Sequence, residues 1–94
     1  TLTSNGDGSD HGWGAHHFVV GGAVRGGDVY GRFPIIGVNT SDDVGQGRLL
    51  PSTSVDQFAA TMGKWFGLGD AQLLDVLPNL RNFGQRDLGF MNGA

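Results

Sequence analysis

Up to residue 53 the apolar positions come in short β-branched or aromatic runs broken by glycine, aspartate and proline; beyond it they recur at three- and four-residue spacing. The two stretches therefore predict different structures. Thr1, Leu2 and Thr3 read as the end of a strand entering a Gly/Asp loop, and Phe18, Val19 and Val20 as a buried strand stopped by Gly21 and Gly22. Ala23, Val24 and Arg25 lead into Gly26-Gly27-Asp28, a turn signal, and then into Val29-Tyr30-Gly31, so a hairpin-like excursion is expected. Residues 33–38 are a further strand candidate whose start Pro34 restricts to an edge. Residues 39–47 read as a polar loop in which Asp42 and Asp43 are expected to be solvated rather than to bind a cation, and 48–51 as a brief extended segment closed by Pro51.

The clearest helix follows. Ser54 with Gln57 three residues on makes a capping box, and Val55, Phe58, Ala59, Met62, Trp65 and Phe66 form one apolar face that is expected to be core. Gly67 is placed to end this helix in a left-handed cap. A second, shorter helix is signalled by Asp70 as its N-cap, with Leu73, Leu74 and Leu77 as its buried side and Pro78 stopping it. From Asn79 onward isolated apolar anchors (Leu80, Phe83, Leu88, Phe90, Met91) lack a period, and this tail is expected to wrap over a surface. Loop, strands and then helices amount to a piece of an α/β layer packing more than to a self-contained fold.

Composition narrows the function classes. Ninety-four residues make one domain at most, with a core that is marginal without a partner, a metal or a larger parent chain. Eighteen glycines, and nine acids that are all aspartate, suit turns, caps and liganding loops better than long solvated helices. The net charge is −3 and the six basic residues are scattered, so there is no basic stripe for nucleic acid or an acidic membrane. With no cysteine, disulfides and thiolate metal sites are excluded. No apolar run is long enough to span a bilayer, and no signal peptide is present. The start at Thr1 without methionine leads us to expect a trimmed or truncated product.

The candidate chemistry is concentrated in residues 5–17, Asn-Gly-Asp-Gly-Ser-Asp-His-Gly-Trp-Gly-Ala-His-His. All three histidines of the chain, His11, His16 and His17, lie here with Asp7, Asp10 and four glycines. Imidazole with carboxylate is the ligand set of zinc and other divalent metals, and the same groups move protons near neutral pH. A Gly/Asp-rich surface loop with solvated histidines accounts for the composition equally well, and both readings stay open at this level. Several signatures are excluded. A calcium-binding nonapeptide turn needs an apolar residue where Gly12 stands, and an EF-hand loop fails at Asp10 and His16. There is neither a phosphate loop nor a Gly-x-Ser-x-Gly elbow.

What survives is Asp10-His11-Gly12 after a strand, which resembles the metal-binding motif of the alkaline phosphatase and sulfatase superfamily. The longer pattern joins residues 10–18 and 21–27 to 53–61, to Trp65-Phe66-Gly67 and to 88–91, and so covers essentially the whole chain. It resembles the C-terminal end of an uncharacterised bacterial family of sulfatase-like proteins, typically exported by a twin-arginine signal. The resemblance implies an α/β fold class, the chain being a single C-terminal fragment (1–94) of an alkaline-phosphatase-like three-layer domain with a few short strands and two C-terminal helices. It implies a divalent metal (zinc, manganese or calcium) bound through Asp10 and His11, with His16 or His17 reaching a second ion. The parent would be a phosphate- or sulfate-ester hydrolase-like protein, periplasmic or secreted. Its Ser or Thr nucleophile and the remaining ligands would lie upstream, so the fragment by itself would be inactive. Ala59 and Ala60 stand where the sulfatase segment has Pro-Thr, which makes that part of the likeness structural only. The competing class is a non-catalytic binding or surface protein of the same fold, using the His/Asp loop for a structural metal or for no ligand. A fragment that retains one face of its sheet and helix (Phe18, Val20, Ile35, Phe58, Met62, Trp65 and Phe66) is also expected to form a homo-oligomer, most simply a two-fold dimer that buries the helix at 55–66 or swaps a strand or the C-terminal tail.

Overall fold

The computed structural model describes residues 1–92 and divides into two compact units. One consists of Thr1–Phe18 with Gly31–Ser52; the other consists of Val19–Tyr30 with the chain from Thr53 onward.

The second unit carries the helices. α1 (Val55–Phe66) starts as its sequence predicts: the Ser54 hydroxyl accepts from Asp56 N–H at 3.0 Å, and Gln57 Oε1 accepts from Ser54 N–H at 2.9 Å. Gly67 ends it at φ +116°, its N–H donating to the Gly63 and Lys64 carbonyls. α2 (Asp70–Val76) is capped by Gly69 rather than by Asp70, because Gln72 reaches back to the Gly69 N–H at 2.8 Å. Asp70 then occupies the first turn, where its negative charge still complements the positive end of the helix dipole. Pro78 ends α2 and opens a 3-10 helix, Pro78–Asn82, since its missing N–H costs nothing at a first helical position.

α1 is buried most deeply beside the face its apolar spacing predicts: of that face Phe58 packs on Phe90 and Met62 and Trp65 line a cavity with residues 19–24 and Met91, while the fully buried positions lie on the other side. Ala60 and Thr61 are buried, and Ala60 clusters with Leu73 of α2 and Leu80 of the 3-10 helix. Val55, Met62, Trp65 and Phe66 are exposed. Size decides this. Small residues let Leu73 and Leu80 come close, and a methyl group at Gly63 would sit 2.8 Å from Leu73 Cδ2. Thr61 is accommodated because its hydroxyl donates to the Gln57 carbonyl at 2.8 Å and accepts from Leu88 N–H at 2.9 Å. That bond, the Lys64–Asp87 ion pair at 3.0 Å and Gln57 Nε2 on the Gln85 carbonyl fasten the tail to α1. The tail does wrap, and it also pairs. Arg25 N–H donates to the Phe90 carbonyl at 2.8 Å and Asn92 N–H to the Ala23 carbonyl at 2.6 Å, bridging Val24 to Met91 antiparallel. Phe90 is buried between Phe58 (ring centroids 5.6 Å apart) and Tyr30 (5.9 Å, edge-on).

The strands expected from local propensity do not form ladders. Among the described residues extended pairing is limited to two isolated antiparallel bridges, Val24 with Met91 and Asp43 with Leu49. Residues 23–25 spend their backbone groups on the tail, so the expected hairpin across Gly26-Gly27 is not made. Phe18 and Val20, expected in a buried strand, are exposed, Phe18 at 90%, and so are Ile35 and Ile36. Propensity for a strand becomes a strand only when a neighbour takes its N–H and C=O groups.

In the first unit the presumed polar loop is a tight hairpin. Val44 N–H donates to the Arg48 carbonyl and Leu50 N–H to the Asp42 carbonyl, both at 2.9 Å, across a turn in which Gly45, Gln46 and Gly47 all have positive φ. Residues 1–3 lie against this turn: Leu2 N–H donates to the Gly47 carbonyl at 3.2 Å and the Thr3 hydroxyl to that of Gln46 at 2.7 Å.

Candidate functional site

The His/Asp loop is built outward from Asn5. Its side-chain carbonyl accepts from Asp7 N–H and Gly8 N–H, both at 3.0 Å, its own N–H donates to the Gly8 carbonyl at 2.9 Å, and Gly6 turns at φ +102°. This is an Asx turn, the local geometry that an Asn-Gly pair favours. The Asn5 amide then holds Asp10, Nδ2 donating to Oδ1 at 2.8 Å. Asp10 N–H donates to the Thr1 hydroxyl at 3.1 Å, and the Thr1 amino group donates to the Asp10 carbonyl. One carboxylate oxygen of Asp10 is thereby fixed by an amide donor on an exposed loop.

Beyond Asp10 the loop is held by its aromatic neighbours. Arg48 lies over the Trp13 ring at 5.2 Å, a cation–π contact, and Gly14 sits so close to Pro51 that a Cβ there would be 2.5 Å from Pro51 Cγ. His16 stacks on Phe33 with ring centroids 4.6 Å apart and planes at 21°. His11, His16 and His17 are all exposed. The residues singled out for a metal, Asp10, His11, His16 and His17, therefore share one exposed loop. Among the described residues no three His or Asp side chains come together as a metal-binding group. The donor chemistry suits a divalent cation; the convergence a closed site needs is not made within the described residues.

Two acids that sequence reasoning set aside as solvated organise the neighbouring hairpin. Asp42 is 7% exposed and pairs bidentately with Arg32, at 2.8 and 2.7 Å, while also accepting from Ile35 N–H at 2.6 Å. Asp43 accepts from Asn39 N–H at 2.7 Å, Gly45 N–H at 2.7 Å and Gly47 N–H at 2.9 Å, so it closes the turn as a side-chain cap. Both carboxylates face N–H donors, which leaves them poorly disposed towards a cation. Adjacency in a Gly-rich loop is the one sequence signal for this role, since short acids bond the backbone a few residues on.

Hydrogen bonds from Arg32 first, then from the Ile35 N–H, hold the Asp42 carboxyl at about 2 against burial, which pulls the other way. The Asn39, Gly45 and Gly47 amides likewise lower the Asp43 carboxyl. Because the folded value lies below the unfolded one, near 3.9, the stabilisation is complete above about pH 5 and is lost as pH falls towards 2. Urea melts should accordingly show a midpoint that is flat from pH 7 to about pH 5 and drops below about pH 4. In Asp42→Asn the midpoint should be lower at pH 7 and its acid-side drop shallower; an unchanged acid limb in that variant would mean that Asp42 does not carry the transition.

The described residues include no helix long and apolar enough to cross a membrane. No curated protein and no solved structure matches the chain. Residues 1–81, which contain the His/Asp loop, the hairpin and both helices, match the model of a family described as "Protein of unknown function (DUF1501)". The chain thus belongs to the DUF1501 family of proteins of unknown function.

Proposed function

We propose that this chain contributes a divalent-metal-binding loop, centred on Asp10 and His11, to a phosphate- or sulfate-ester hydrolase-like protein of the alkaline phosphatase and sulfatase superfamily. The observation that carries the reading is the placement of Asp10: an exposed carboxylate held at Oδ1 by the Asn5 amide, directly followed by His11, with His16 and His17 on the same exposed loop. A carboxylate oriented by an outer amide is the arrangement that tunes a metal ligand. In this reading the loop supplies two ligands at a time, and the nucleophile and remaining ligands come from a part of the parent upstream of Thr1, exported with it to the periplasm or beyond. The exposed apolar runs at 18–20 and 33–38 are then surfaces of an α/β layer that the upstream part covers. A bound metal there would act as a Lewis acid on an ester oxygen.

A second reading has an observation of its own. His16 is engaged with Phe33, and Trp13 with Arg48, so the loop's larger side chains already have packing roles. That favours a non-catalytic protein of the same fold. Titration calorimetry with zinc and manganese separates the two. Weak binding, at tens of micromolar or above because two ligands leave several positions to water, should vanish in Asp10→Ala and His11→Ala. The chain should not hydrolyse p-nitrophenyl phosphate or sulfate above a metal-only control. Binding that is unchanged in His11→Ala, or absent altogether, would overturn the metal reading in favour of the packing one.

A further inference from the structure

The Asn5 carboxamide is held at both of its ends. Its oxygen accepts from Asp7 N–H and Gly8 N–H, both at 3.0 Å, and its nitrogen donates to Asp10 Oδ1 at 2.8 Å. These neighbours fix which end is which, because backbone donors can face only the oxygen and a carboxylate only the NH2 group. Next along the chain stands Gly6, whose N–H donates to the Ser4 hydroxyl at 3.1 Å. Gly6 has no side chain to keep its nitrogen away from the carboxamide, and a Cβ built there would meet nothing within 4 Å. Residues 4–10 are all exposed to water.

We infer that Asn5 is a site of self-catalysed deamidation, in which the Gly6 backbone nitrogen attacks the Asn5 side-chain carbon and the loop converts Asn5 to aspartate and isoaspartate through a succinimide. The bond between Gly6 N and Asn5 Cγ forms as Gly6 N loses its proton, and Ser4 Oγ is the acceptor already in place to pass that proton to water. Negative charge then gathers on Asn5 Oδ1. The Asp7 and Gly8 N–H groups point at that atom, the arrangement of an oxyanion hole. Next the Cγ–Nδ2 bond breaks. Nδ2 takes a proton from water and leaves as ammonia, and the Asp10 carboxylate beside it stabilises the positive charge that the departing group carries. Water then opens the ring, at the side-chain carbonyl to give aspartate or at the backbone carbonyl to give isoaspartate. In sum one water is consumed and one ammonia released, with nothing oxidised or reduced.

The product changes the loop. Asp10 loses the Nδ2 donor that holds it, and residue 5 gains a negative charge where the amide was, so two like charges now share the turn.

Trypsin makes the test direct, because peptide 1–25 carries Asn5 and peptide 87–94 carries Asn92, each as its one side-chain amide. Asn92-Gly93 is the same dipeptide and serves as an internal clock. The full chain is incubated at neutral pH with EDTA, which makes the result independent of metal binding, and is mapped by mass spectrometry with isoaspartate scored by electron-transfer fragmentation. In guanidinium chloride the two asparagines should convert at similar rates. In the folded chain Asn5 should convert about tenfold faster than in guanidinium chloride, since donors and nucleophile are already placed. Ser4→Ala and Asp10→Ala should each slow the folded chain and leave the denatured rate unchanged. A folded rate equal to or below the denatured one would show that the turn protects the carboxamide, and overturns the inference without recourse to any variant. Conversion to aspartate with no isoaspartate overturns it too, by excluding the succinimide, and so do variants that react as fast as the parent chain.

Discussion

Gly47→Ala is expected to destabilise the first unit by about 3 kcal/mol or more, out of all proportion to a single methyl group. Gly47 is buried at φ +75°, a region that costs an alanine roughly 1–2 kcal/mol. The added carbon would also lie 2.5 Å from Leu2 Cβ, 2.8 Å from Leu2 N and 3.0 Å from Leu2 Cα. Two of those atoms are backbone, so no rotamer relieves the clash; residues 1–3 must move off the turn, which breaks the Leu2 and Thr3 hydrogen bonds to it. Overpacking of this kind adds about 1–3 kcal/mol. Gly6→Ala is the control, at φ +102° but with open space around its Cβ, and should show the conformational cost alone. Urea unfolding of the two variants should differ by about 1–3 kcal/mol, and amide exchange at Leu2 should accelerate only in Gly47→Ala. Equal losses in the two would show that contact with Leu2 adds nothing. As Thr1 also anchors Asp10, lifting residues 1–3 should weaken any metal binding by the loop as well.

What was legible in the sequence depended on the range over which each feature is decided. Both ends of α1 could be read because caps are settled within four residues: Ser54 with Gln57 at one end, Gly67 at the other. The start of α2 was misplaced by one residue because Gln72, not an acid at the first position, satisfies the free N–H. Strand character at 18–20 and 33–38 was a statement about side chains, and pairing needs a second segment that no local pattern names. Residues 23–25 found theirs some 67 positions away, in a tail without any period. The Asn5–Asp10 contact could have been anticipated, since an Asn-Gly turn brings its amide back over the following residues. The Arg32–Asp42 fork could not, because it depends on how the hairpin folds back on residue 32. For the candidate site, residue types and their clustering in one loop came from the sequence; the occupation of His16 by Phe33 and of Trp13 by Arg48 came from contacts across more than fifteen residues.

The burial of Ala60 rather than Val55 in α1 yields the sharpest contrast. Periodicity alone assigns Val55 to the core and leaves Ala60, on the far side of the apolar stripe, to solvent; the packing is the other way round. Ala60 is 1% exposed against Leu73 and Leu80, and a glutamate there would bring a charge into this apolar contact. The charged residues lining the cavity of about 70 Å³ beside it leave the new carboxylate without a free partner: Asp70 and Asp87 repel it, Lys64 is already paired with Asp87, and Arg86 is bonded to the Phe83 carbonyl. Ala60→Glu should therefore cost about 4 kcal/mol or more, through desolvation of the carboxylate and separation of α1 from α2. For a chain of this length that is a large part of the whole stability, so the variant should show lost helicity and a broad, early melt. Val55→Glu puts the same group at the first position of the helix, where the dipole favours it, and should be neutral or stabilising by up to about 0.5 kcal/mol. Thermal and urea unfolding followed by circular dichroism at low micromolar concentration would compare them directly. Comparable destabilisation by both, or a larger effect at Val55, would mean that the apolar stripe is the buried face after all.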